Sequence, residues 1–130
     1  MGRYLALALA LTNAGCGIVY VRGTPGAGVD ASFVQQWGCD FSAVKANADS
    51  IRRSVAGAGR GYGTGLVPQV GWTSCQTLAA VGKPDEVRSY QTTDIVGASW
   101  SYVWPCPVCA TRSVFLERRE AAWIVQRVAW

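Results

Sequence analysis

Cys106 and Cys109 stand three positions apart in WPCPVCA, the spacing of a dithiol redox pair, and they are the first place in this sequence to look for chemistry. A redox pair of that kind caps a helix after a buried strand, where the helix N-terminus lowers the thiol pKa. Here the pair lies at a strand end among prolines, so the simplest reading is a local bridge that clamps a turn. The chain has five cysteines and no histidine. Without histidine it lacks the commonest general base, the commonest zinc ligand and the usual partner of a catalytic Ser or Cys. A four-cysteine zinc site needs two closely spaced pairs, and the second pair is missing. No catalytic residue, metal site or cofactor is therefore expected. The rival reading is a periplasmic thiol oxidoreductase that uses Cys106 and Cys109.

With Cys16 set aside, Cys39, Cys75, Cys106 and Cys109 make an even number suited to an oxidising compartment. Three pairings are open. If Cys106 pairs with Cys109, then Cys39 and Cys75 join the starts of two helices, stabilising by about 4 kcal/mol on the loop-entropy model.

Cys16 has a different setting. Arg3 precedes an apolar run from Tyr4 to Leu11, which is too short to span a bilayer but suits the hydrophobic part of a secretory signal. The small and polar residues Thr12, Asn13, Ala14 and Gly15 then lead to Cys16. The stretch resembles a bacterial lipoprotein signal, in which cleavage before the cysteine leaves a diacylated first residue. Asn13 stands where that pattern prefers Leu. An ordinary cleaved signal, or a buried first strand carrying Cys16, is the alternative. The lipoprotein reading divides the chain into a signal peptide over 1–15, a lipidated Cys16 with a flexible tether over 16–29, and one domain over 30–130. The anchor would hold the protein to a membrane without spanning it. By the same resemblance, Gly17 after the cysteine implies the outer membrane.

The elements that must position these residues follow from periodicity. With 130 residues the chain suits one small domain, and 50% apolar against 15% charged residues argues for a folded chain. A net charge of +4 with no basic tract argues against a nucleic-acid partner. In DFSAVKANADSIRRSVAG, the positions Phe41, Val44, Ala48, Ile51 and Val55 form one helical stripe. Asp40 is the expected N-cap, Arg52 and Arg53 suit the C-terminal end, and Gly57 is the expected stop. Lys45, Asn47, Asp49 and Arg52 then make a solvated polar face. GAGRGYGTG lacks the GKS or GKT of a phosphate loop and follows a helix, so residues 57–67 read as a flexible connector.

A short second helix is heavily punctuated. Thr73 and Gln76 form a capping box, Gly82 suits the position just past the helix, and Pro84 prevents its resumption. DEVRSY then leads toward the sheet. GASWSYVW alternates with Trp100, Tyr102 and Trp104 on one face, while TRSVFLER and AAWIVQRVAW read as a hairpin turning at ERRE. The expected fold is α+β, with two helices on a three-stranded antiparallel meander.

Gly71, Thr73, Gln76, Gly82 and Pro84 in GWTSCQTLAAVGKP, with SWSYVW, VFLE and WIVQRV after them, resemble the SmpA/OmlA family of small envelope lipoproteins. That family includes the outer-membrane assembly factor BamE. The resemblance covers residues 68–130, with Trp72 in place of the usual Met and Thr77 in place of Val. It implies a BamE-like ααβββ fold, an outer-membrane lipid anchor facing the periplasm, and a non-enzymatic scaffold or binding module with an envelope protein partner. Trp100, Tyr102, Trp104, Trp123 and Trp130 are the candidates for partner contact, with a place in the core as the alternative. A secreted inhibitor on the same fold is a third reading. Cys75 falls inside the capping box, where the family pattern requires no cysteine.

Overall fold

Asp30 starts the first helix among the described residues because its carboxylate can do what a missing turn of helix cannot: it accepts the Phe33 N–H at 2.8 Å. In the computed structural model, which describes residues 23–57 and 66–130, this begins helix α1, Ala31–Gln36. Past its end, Gly38 takes φ +75°, Gly38 N bonds Gln35 O at 3.1 Å and Cys39 N bonds Val34 O at 2.9 Å. This pair of bonds closes the last carbonyls in a Schellman motif. Asp40 then caps helix α2, Phe41–Gly57, accepting from Ala43 N at 3.0 Å. Val44 and Ala48 are buried and Phe41 and Ile51 half-buried, so the stripe faces inward as expected. The Val55 side chain and the connector over 58–65 lie outside the described residues.

Helix α3, Ser74–Val81, packs on α2 and buries Leu78, Ala79, Ala80 and Val81. Four strands follow as an antiparallel meander: β1 Glu86–Gln91, β2 Val96–Trp104, β3 Ala110–Arg119 and β4 Ala122–Ala129, side by side in that order. The face toward the helices carries Ala98, Trp100, Tyr102, Val114, Leu116 and Val125, all fully buried. A bulge opposite Phe115 and Leu116 shifts the β3–β4 register, and the β3–β4 turn places Glu120 at φ +58°.

The α+β class and the meander match expectation, while the expected two helices and three strands become three helices and four strands among the described residues. The extra helix α1 is six residues long, too short to show a helical period, and rests on its caps. The extra strand β1, read as a lead-in, is exposed at all six positions. It therefore has no inside and outside to alternate between, and pairing with β2 from Glu86↔Ser101 to Gln91↔Val96 defines it instead. The charged stretch around ERRE forms strands, because only a period of two puts Val114, Leu116 and Val125 inside together.

Two further details revise the sequence reading. Residues 23–29, expected to belong to a tether, form turns fastened to the helices: Pro25 is buried, Pro25 O accepts from Arg52 Nη1 at 2.8 Å, and Ala27 O accepts from Lys83 N at 2.8 Å. Arg52 therefore spends its charge on the Pro25 carbonyl and on Asp49 rather than on the C-terminal end of α2. The outer edge of β4 is covered by the approach to α3, through Gly71 N to Val125 O at 2.9 Å and Val125 N to Trp72 O at 2.8 Å.

Candidate functional site

The sequence pointed to three groups of residues, and the sheet sorts them to different places. At the start of α3 the capping box is complete: Gln76 N bonds Thr73 Oγ1 at 3.1 Å, and Thr73 N bonds Gln76 Oε1 at 2.8 Å. Thr77, where the family pattern has Val, turns its hydroxyl back to Thr73 O at 2.9 Å and is wholly buried. Its hydroxyl therefore carries no unmet hydrogen bond into the core. Ser74 Oγ donates to Trp37 O at 3.1 Å, tying α3 to the turn after α1.

Beside this cap, Cys39 and Cys75 are bridged, with Cα atoms 5.5 Å apart and a sequence separation of 36. The bridge joins the residue before the cap of α2 to the first turn of α3. Cys106 and Cys109 form the other bridge, in the exposed β2–β3 turn at the opposite end of the sheet, with Cα atoms 4.2 Å apart. Cys109 N closes the turn on Pro105 O at 3.2 Å, and Cys109 takes φ +51°. The turn has no helix following it, so nothing there supplies the dipole that activates a dithiol pair. Among the described residues no group of three His, Cys, Asp or Glu side chains is placed to hold a metal ion. Cys16, the candidate lipid-attachment residue, lies outside the described residues.

The aromatic candidates separate by depth. Trp100 and Tyr102 are completely buried, so they belong to the core and not to a contact surface. The Tyr102 hydroxyl donates to Gly82 O at 2.7 Å, joining β2 to the exit of α3. Trp123 is half-buried against Trp37, with ring centres 4.8 Å apart, and Trp37 also meets Trp100 edge-on at 5.0 Å. Trp37 is thus the hub of the aromatic core, although sequence inspection did not single it out. Its signal was a large apolar residue directly before the Gly38 stop. Trp104 and Trp130 are half-buried at the far end of the sheet, with rings 6.0 Å apart and perpendicular. The Arg112 guanidinium stands 5.1 Å from the Trp104 ring centre and 5.8 Å from that of Trp130.

Polar ties complete the arrangement. Lys83 Nζ bonds Asp30 Oδ2 at 3.1 Å and lies 5.1 Å from the Phe33 ring centre, fastening the end of α3 to the start of α1. The Phe33 N–H first, then Lys83 and Ser32, hold the Asp30 carboxyl below its ordinary range. The hydrogen bond from Arg52 does the same for Asp49. Between α2 and the turns at 23–29 lies a cleft of about 100 Å³ whose lining includes Phe41, Val44, Lys45 and Arg52. A drug-sized ligand needs roughly 300 Å³ or more, so this cleft is too small to enclose one. No helix among the described residues is long and apolar enough to cross a membrane.

In comparisons with known proteins, the chain matches no family model, no curated protein and no solved structure.

Proposed function

We propose that this chain is a non-enzymatic lipoprotein of the bacterial cell envelope, of the SmpA/OmlA type, attached through Cys16 to the outer membrane and acting in the periplasm as a small scaffold or protein-binding module. The observation that carries the reading is helix α3. Its capping box, its exit at Gly82 and Pro84, and its place in the chain between α2 and an antiparallel meander support the resemblance that GWTSCQTLAAVGKP carries in sequence. The described residues offer a binding module's assets: a four-stranded sheet, an edge strand β1 exposed along its length, and half-buried tryptophans at the sheet's ends.

Crosslinking in intact envelope membranes followed by purification of the chain tests the scaffold role. A reproducible envelope protein crosslinked to the wild type is expected, and a chain that crosslinks only to itself under every chemistry overturns the role. The exposure of the Cys106–Cys109 bridge favours a second reading, thiol–disulfide exchange. Its reduction potential decides: a structural bridge resists the glutathione pool, whereas a catalytic one equilibrates with it.

A further inference from the structure

The ends of β2 and β4 and the start of β3 come together at one end of the sheet. Trp104 and Trp130 meet edge to face there, and Arg112 lies over both rings. The β2–β3 turn that follows Trp104 exposes Pro105 and Pro107, with Val108 61% and Val103 39% exposed. The Cys106–Cys109 bridge holds this turn closed. Tryptophan rings with a polar edge, beside an arginine whose guanidinium lies over them, are side chains suited to a membrane–water interface. Asp85 and Glu86 stand at the same end but are committed, Asp85 to Val103 N at 2.8 Å and Glu86 to Arg88 at 2.7 Å.

The path of the chain selects the occupant. At Gly23 the backbone runs so close to this cluster that a Cβ would stand 3.0 Å from Trp104 Cζ2 and 3.8 Å from Trp130 Cζ2. Only seven positions separate Gly23 from Cys16, a span of at most about 25 Å. An acyl anchor on Cys16 would therefore keep the tryptophan end of the sheet within a short reach of the bilayer surface.

We propose that the Trp104–Trp130–Arg112 cluster and the Val108 turn form a second, non-covalent membrane contact that seats this end of the sheet in the headgroup layer. The contact orients the domain, leaving the β1 edge and the helical layer free for protein partners. This rests on the lipid anchor at Cys16. The acyl chains supply attachment, and the cluster supplies orientation.

The test uses the full protein extracted from membranes and reconstituted into phosphatidylcholine vesicles with brominated acyl chains, which quench only tryptophans at the bilayer. The wild type should float with the vesicles and show quenched emission. Replacing both Trp104→Phe and Trp130→Phe should remove most of the quenched component, whereas Trp72→Phe at the opposite end should leave it. Val108→Asp, an exposed change that spares the fold, should lower the quenched fraction several-fold without detaching the protein. Flotation without quenching, or quenching unchanged in the double and Val108→Asp variants, overturns the contact and leaves the anchor standing. Failure to float overturns both.

Discussion

The Tyr102 hydroxyl, wholly buried and bonded to Gly82 O at 2.7 Å, shows how single residues hold this fold at its corner. Tyr102→Phe leaves that buried carbonyl without its partner, a loss of about 1.5 kcal/mol, measurable as a lower urea midpoint with an unchanged slope. Gly82 itself has φ +84°, and a Cβ there would stand 2.6 Å from Ala27 O and 2.9 Å from Ala27 N. Gly82→Ala combines backbone strain with a clash against backbone that cannot swing away, so a loss of about 3 kcal/mol is expected in the same assay. At this scale the sequence is legible where partners are local. Asp40 with Ala43, and Thr73 with Gln76, lie three residues apart and could be read as caps. Trp37 on Trp123, and Lys83 on Asp30, bring together positions far apart in the chain. No periodicity announces such meetings, and Arg112 between two tryptophans belongs with them.

Among the elements, α3 has two turns and could not persist alone in water, so its caps and its bridge set the stability of the corner. Thr73→Ala removes the side chain that accepts from Gln76 N and should cost about 1 kcal/mol. Replacing Cys39 and Cys75 together should cost about 4 kcal/mol, because their bridge closes a span of 36 positions. Replacing Cys106 and Cys109, three positions apart, should cost about half as much. Equal losses would contradict the loop-entropy account. The tie between α1 and α3 also predicts a pH dependence. The folded Asp30 pKa lies below the ordinary value of 3.8, so the stabilisation from its ionised form is complete above that value and is lost as the pH falls through the lowered one. Asp30→Asn should therefore destabilise the protein near neutrality, and the gap from wild type should close in acid. A gap that persists in strong acid would mean that the tie does not depend on charge. The long helix α2 and the strand β2 were legible from their periods, 3.6 and two. The short α1 and the fully exposed β1 were not, because a short helix shows no stripe and a strand with no buried face shows no alternation.

For the whole molecule, the four cysteines among the described residues close two bridges, one tying the start of α2 to α3 and one within the β2–β3 turn. The aromatic face read from SWSYVW is real but divided. Its centre is core, and only its ends, near Trp104 and Trp130 and near Trp123, retain exposed surface for an external contact. Burial of that kind depends on which helix covers which strand, so the alternation of β2 could not reveal it. The central claim is that Cys16 carries the anchor, and metabolic labelling with radioactive palmitate in a bacterial host tests it most directly. The account predicts that the wild-type chain is labelled and that Cys16→Ala loses the label and the membrane association together. Equal labelling of the two chains, or a wild type that takes up no palmitate and stays free of the membrane, would contradict it.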